Sequence, residues 1–492
     1  MTTTANSSAA RVVTRNVLHL LLAQIASMVI AFVVTVRIAR HLGPDDYGVL
    51  FFSTSFVTLA FILVDLGQTY YVVSAIARDP RRAGVLFGTG MALRLAAAAL
   101  ILLPVWGLAR LLGYTEQTRA AIFATFVFSL VSSIGGGFSL VFRGLERMDW
   151  DALSGTATKV LYGVTSLAAV SLGAGVVGVI GGQAVGTAMG LVVCVALLAR
   201  LKVPPPRVER AVAIEILREG SPFLIWSAIV AIHSTMDAIL LSKLATERVI
   251  GWYGASTRLT QILTLPAGIL AGALFPTLSR LFAHSPAGFV AMTRSSLKWM
   301  MYVGGLAAAG TLLFATQAVA LVYGGKAFGP AADILRVSSV FVLCLFLNFV
   351  LGTAIMAAGR QKPWIWVKAV VVLILVVLNV LLIPAAQERL GNGGIGAAAA
   401  AASAEVILLA AALVLLPSGT LDLTFGREVG RVVAGAAAMA AVKYAIGDTS
   451  IFVGIPLAVT TFAAVMVALG GVRRGDVAGL RAAFLPSRSR EA

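Results

Sequence analysis

The sequence predicts an all-α integral membrane protein with about fourteen transmembrane helices. Composition, block length and loop charge each point that way. Hydrophobic residues make up 59% of the 492 and charged residues only 12%, where a soluble globular chain carries ~25%. Mean hydropathy is +0.95. The apolar residues fall in long blocks such as Val17–Val36, Val85–Leu108 and Val367–Ile383, and blocks of roughly 20 match the hydrocarbon core of a bilayer. Barrel strands, which alternate and run ~10 residues, do not read this way.

Taken in order, the spans centre on Ala26, Ala60, Ala97, Phe128, Gly163, Ala188, Val230, Leu263, Ala309, Leu345, Leu375, Leu408, Ala437 and Phe462. Charged or Gly/Pro-rich breaks separate them. The first follows Arg11 and Arg15 and, at about 20 apolar residues, exceeds a signal-peptide core. With the N-terminus inside, the cytoplasmic segments collect roughly 24 Lys and Arg and the outer segments about 10. The bias holds at nearly every loop pair, so the span count is even and both termini are cytoplasmic.

The longest hydrophilic break, Arg200–Gly220, holds Pro204–Pro206 and a charged stretch, Val208–Glu219, readable as a short surface helix. It divides the chain into a cytoplasmic tail (1–15), a six-helix bundle (16–199), a linker (200–220), an eight-helix region (221–472) and a basic tail (473–492). The halves share a weak repeat. Displacing one against the other pairs Gly48 with Gly251, Ser53 with Ser256 and Thr54 with Thr257. Transporters are often built from such repeats, with the substrate path between them. The Gly and Ala runs, including Ala397–Ala402, suit close helix packing. Pro266 and Pro276 fall in one span, a candidate for bending.

Seven ionisable residues lie inside apolar blocks: Asp65, Arg94, Lys159, Asp237, Arg258, Lys368 and Glu405. A charge at mid-bilayer costs at least ~2.5–3.5 kcal/mol, so each needs a partner, a cavity or the interface. Four are cations. Arg94, Arg258, Lys159 and Lys368 are therefore candidates to line a polar lumen for an anionic cargo such as a phosphate or diphosphate head group. The competing reading is pairwise neutralisation, Asp65 with Arg94 and Asp237 with Arg258. His233 and Asp237 share a helix face at i, i+4, and with Glu405 they are the candidates for ion coupling. Asn348, Gln183 and Asn379 read as interhelical hydrogen-bonding residues.

Several families of function lack support. No P-loop is present. Four histidines and two isolated cysteines, Cys194 and Cys344, give neither a metal motif nor a disulfide framework. No cofactor is expected. The net charge of +17 is explained by loop topology before nucleic acid. A membrane enzyme would want a substantial outer loop with catalytic residues, which the sequence lacks. A scaffold that merely recruits other proteins would leave the buried charges unexplained.

The stretch Arg40-His-Leu-Gly-Pro-Asp-Asp-Tyr-Gly48, then Val64-Asp-Leu-Gly67, resembles the bacterial polysaccharide (O-antigen type) flippases. Asp237-Ala-Ile-Leu-Leu, Ile250-Gly-Trp-Tyr-Gly-Ala-Ser-Thr-Arg258-Leu, Leu274-Phe-Pro276, Phe142-Arg-Gly-Leu-Glu-Arg147 and Gly394-Ile-Gly-Ala397 fit the same pattern. The resemblance implies the fold of the multidrug/oligosaccharidyl-lipid/polysaccharide exporter superfamily: a MATE-like arrangement of two pseudo-symmetric bundles working by alternating access. It also implies residence in the bacterial cytoplasmic membrane and a polyprenyl-diphosphate-linked oligosaccharide as cargo, with membrane lipids and glycan polymerase or glycosyltransferase machinery as partners. Basic lumen residues would meet the diphosphate, a role that passes to Arg94, Lys159, Arg258 and Lys368. A peptidoglycan-precursor flippase is the nearest rival reading. A multidrug extruder of the same superfamily would favour acidic lumen residues.

Overall fold

The computed structural model describes residues 2–472 except 202, 418, 421–423, 448 and 449, with side chains from Met28 onward save that of Thr424. The basic tail expected at 473–492 and the side chains of the tail at 1–15 lie outside the described residues. Among the described residues the chain is helical and holds no strand. The helices are α1 (Thr2–Asp65), α2 (Gln68–Arg78), α3 (Ala83–Leu111), α4 (Glu116–Gly144), α5 (Met148–Ser171), α6 (Val176–Arg200), α7 (Arg210–Leu244), α8 (Glu247–His284), α9 (Pro286–Val319), α10 (Ala331–Ala357), α11 (Gln361–Leu390), α12 (Gly393–Leu415), α13 (Thr424–Ile446) and α14 (Ile451–Ala468).

Twelve of the described helices are long and apolar enough to cross a membrane. α1 is two helices joined at Gly43 (φ 72°, ψ 175°), which breaks it. Pro44 then occupies the first turn of a new helix, where its missing N–H costs nothing, and Asp45 and Asp46 face that turn's positive end. α5 carries Asp149 and Asp151 in its first turn and Lys159 in its middle, which lowers its hydropathy. The fourteen spans expected from the sequence all fall on helices. α2 is a short continuation of the second, past a break where Leu66 and Gly67 have φ of 53° and 69°.

The chain forms two compact units, Met1–Ala255 with Ile383–Gly394, and Ser256–Leu382 with Ile395–Ala492. In the first, α1 packs on α3, α4, α5 and α7. Its core includes Val72, Ile76, Leu86, Val141 and Ile216 from α2, α3, α4 and α7. α5 and α6 approach closely through Gly186 and Gly190, where a Cβ would strike Leu161, Thr165 and Thr158, as expected of small residues between membrane helices. In the second unit, Met300, Phe346, Val350, Trp364, Leu375, Ala404 and Phe462 share one core. The alanine run is buried there at Ala397, Ala398, Ala400 and Ala402. α8 runs through both Pro266 and Pro276 without a break in its assignment.

Two local features position the first unit. The stretch Val208–Glu219 is not a separate surface helix: from Arg210 it forms the opening turns of α7. Val212 and Ile216 at i, i+4 are buried, which anchors these turns to the bundle. Glu215 on the same segment accepts from Arg82 (2.6 Å) and from the Tyr71 hydroxyl. Ahead of it the polyproline segment is strapped to α3. Thr89 Oγ1 donates to the Arg207 carbonyl (3.3 Å) and accepts from the Glu209 N–H (3.1 Å).

At the opposite end of the helices, the turn opening at Pro44 crosses the start of α8. A Cβ on Gly48 would strike the Glu247 carbonyl, and one on Gly251 would strike the Pro44 carbonyl. Asp45 pairs with Arg248 at 2.9 Å, 203 positions apart. Gly48 and Gly251 are related by that same offset, and so are Pro44 and Glu247. The crossing is reciprocal, each partner making the contact that its repeat equivalent makes, as at a two-fold axis. The weak sequence repeat thus corresponds to a physical contact.

Candidate functional site

The membrane charge with the most complete setting is Arg94. It lies eleven residues along α3 from Ala83, about 16 Å at 1.5 Å per residue, too far to reach an interface easily. Its side chain is 6% exposed. NH2 donates to Asp65 Oδ1 at 2.6 Å. NH1 donates to the Ser133 carbonyl on α4 at 2.8 Å and to Ser133 Oγ at 3.3 Å. Asp65, the last residue of α1, is 33% exposed at its side chain and also accepts from Thr69 Oγ1 on α2 (3.0 Å). The pairing of Asp65 with Arg94, one of the two readings of these charges, is therefore formed. It joins α1, α2, α3 and α4 at the break formed by Leu66 and Gly67.

Gln68 belongs to the same place. It is 1% exposed and lies across α3 at Gly90, where a Cβ would meet its Oε1. Gly90 is one turn from Arg94. Both Gln68 Nε2 and Arg94 Nε are buried donors without an acceptor among the described residues. Nothing in the hydrophobic pattern singled out Gln68. The signal was its position directly after the Asp-Leu-Gly break.

The other sequence candidates are dispersed. In the first unit, Asp237 is 6% exposed and accepts from the Tyr253 hydroxyl at 2.6 Å. His233 sits one turn earlier on α7, half-buried, and Lys159 is exposed on α5. In the second unit, Glu405 is 1% exposed. Asn348 Nδ2 on α10 donates to its Oε2 (2.6 Å) and to its backbone carbonyl (3.0 Å). Lys368 on α11, half-buried, is within electrostatic reach of Glu405. Asn348 thus joins α10 to α12. Asn348 does what an intramembrane amide is expected to do. Asn379 instead donates back to the Leu375 carbonyl of its own helix (3.0 Å). Arg258, half-buried on α8, donates from NH1 to Gln261 at 3.1 Å, and its Nε is buried without an acceptor among the described residues. No group of three or more His, Cys, Asp or Glu among the described residues has the geometry to hold a metal ion.

This architecture is that of known lipid and drug transporters. A lipid II flippase, MurJ, in an inward closed conformation superposes with a TM-score of 0.73 over 93% of this chain and 99% of its own, at 13% identity. An inward-facing multidrug resistance transporter of the MATE family superposes with a TM-score of 0.61 over 79% of this chain and 94% of its own, at 17% identity. A transporter of the same superfamily from Pyrococcus furiosus, described as having a binding pocket of reversed polarity, gives 0.56 over 82% and 94%, at 16% identity. No curated protein sequence matches the chain. At such identities these similarities define the fold, and they bear out the MATE-like arrangement expected from the sequence. The profile of the family described as "Polysaccharide biosynthesis protein" matches residues 13–282, which is more than half of the chain. The chain is therefore a multi-pass membrane protein belonging to the polysaccharide biosynthesis protein family, with the fold of the multidrug/oligosaccharidyl-lipid/polysaccharide exporter superfamily.

Proposed function

We propose that this protein is a flippase. It moves a polyprenyl-diphosphate-linked oligosaccharide from the inner to the outer leaflet of the bacterial cytoplasmic membrane for cell-surface polysaccharide synthesis. The observation that carries the reading is the family match over residues 13–282. In this reading both termini and the linker at 200–220 face the cytoplasm, where the excess of basic loop residues places them. The bundles at 16–199 and 221–472 provide alternating access, and the prolines of α8 let it bend.

The chemistry of the cargo explains the intramembrane cations. A sugar diphosphate cannot enter hydrocarbon unaided, whereas its prenyl tail is at home there. Arg94, Arg258, Lys159 and Lys368 are the candidates to shelter the head group while the tail remains in the bilayer. Arg94 has the setting for this role: it is fixed by Ser133 and paired with a partly exposed carboxylate. Asp237, His233 and Glu405 are the candidate groups for coupling to an ion gradient. The reaction is a transport step, with no bond made or broken in the cargo.

The test is reconstitution. Purified protein in sealed vesicles is given fluorescent polyprenyl-diphosphate sugars of the oligosaccharide and peptidoglycan-precursor types. Translocation of the former supports the reading. Translocation of the latter alone assigns the protein to peptidoglycan-precursor transport.

A further inference from the structure

We infer that Asp65 is an internal stand-in for a phosphate of the cargo: its carboxylate occupies Arg94 in the empty protein, and an incoming diphosphate displaces it, held by Arg94 and Gln68 together. The inference rests on the flippase reading and assigns roles to two residues, Asp65 and Gln68, at the same site.

The two members of the ion pair differ in exposure. Arg94 is 6% exposed at its side chain, and Asp65 33%. Arg94 is also held through its other terminal nitrogen by two bonds to Ser133, so the cation is fixed. The anion is the member that can leave, since it is the less enclosed of the two.

The donors at the site outnumber what one carboxylate can use. Asp65 takes a single N–H of the guanidinium, through Oδ1. Arg94 Nε and Gln68 Nε2 are buried with no acceptor among the described residues, and an unpaired buried donor is unfavourable. Arg94 as a residue is 5% exposed and Gln68 1%. They lie on adjoining helices about one turn apart, with the Gln68 carboxamide against Gly90. A diphosphate has more acceptor oxygens than a carboxylate and can engage a guanidinium through two N–H groups while reaching a second donor.

Displacement also reaches the backbone. Asp65 is followed by Leu66, a non-glycine residue at φ 53°, a conformation held only when its surroundings enforce it. Its carboxylate ties α1 to α3 through Arg94 and to α2 through Thr69. Removing the tie to Arg94 frees the break to change angle when cargo arrives. When the cargo leaves, Asp65 returns and competes against rebinding, a step that favours turnover over tight retention.

The test measures binding of farnesyl diphosphate and of inorganic pyrophosphate to the full chain in lipid nanodiscs. Asp65→Asn keeps a carbonyl oxygen for Arg94 but removes the competing charge. It is expected to bind farnesyl diphosphate about tenfold more tightly than the unmodified protein and to translocate lipid-linked sugar more slowly. Gln68→Leu, which leaves the ion pair in place, is expected to bind several-fold more weakly at an unchanged melting temperature. The same order with pyrophosphate assigns recognition to the head group alone. An order confined to farnesyl diphosphate assigns it to the lipid-borne diphosphate. Unchanged or weaker binding by a folded Asp65→Asn protein overturns the inference. If that variant does not fold, unchanged binding by Gln68→Leu overturns it. Either result alongside normal translocation by the unmodified protein leaves the flippase reading standing. Failure of the unmodified protein to bind either ligand or to translocate overturns both.

Discussion

Arg94 and Asp65 form one pair, but removing one is not equivalent to removing the other. Asp65→Ala leaves a guanidinium buried without its counter-charge, a change that costs about 3–5 kcal/mol in comparable settings. Arg94→Ala leaves a carboxylate whose side chain is 33% exposed and still bonded to Thr69, so its loss is smaller. Thermal unfolding in detergent should therefore rank the unmodified protein first, Arg94→Ala next and Asp65→Ala last. In the second unit, Asn348→Leu removes both bonds to Glu405. The expected cost is about 1–3 kcal/mol, read by the same assay. Sequence alone identified every one of these charges, because an ionisable residue in an apolar block is conspicuous. It left open whether Arg94 was paired, because pairing depends on which faces of α1 and α3 meet. It did not identify Gln68 or Tyr253, since polar uncharged residues beside a helix break are common and carry no periodic signal.

Among the elements, the stretch from Arg40 to Gly48 was legible as a motif, and the structure gives its physical content. Gly43 breaks the helix, Pro44 starts the next, the two aspartates sit at its positive end, and Gly48 admits the Glu247 carbonyl of α8. The crossing depends on the absence of side chains. Gly251→Val should destabilise the protein by about 1–3 kcal/mol through overpacking. Gly107→Ala, in α3 where an added Cβ meets nothing, should be neutral or slightly stabilising when melting temperatures are compared. The exposed Asp45–Arg248 pair contributes little by itself, so Arg248→Ala should barely change the melting temperature. The linker was less legible. Its charges suggested a free surface helix, but the inward face made by Val212 and Ile216 and the bonds of Thr89 tie it to the bundle. Thr89→Val should therefore speed limited tryptic cleavage at Arg207 and Arg210 several-fold while leaving the fold intact.

For the whole molecule, the membrane class and the all-helical architecture followed from block length alone, because hydrocarbon thickness imposes a length that few soluble folds imitate. The internal repeat was faint in the sequence and became definite only at the reciprocal contact of Gly48 and Gly251, where close backbone approach restricts the residue type. The candidate site was less legible than the fold, since it depends on a few polar side chains set among many apolar ones. The central claim, that the chain carries a lipid-linked sugar across the membrane, is tested most directly in sealed proteoliposomes. They would hold the purified protein and a fluorescent polyprenyl-diphosphate oligosaccharide, with a membrane-impermeant quencher outside. The account predicts that more label becomes reachable than in protein-free vesicles, without ATP. Absence of translocation for several such lipids, together with transport of an organic cation against an ion gradient, would contradict it.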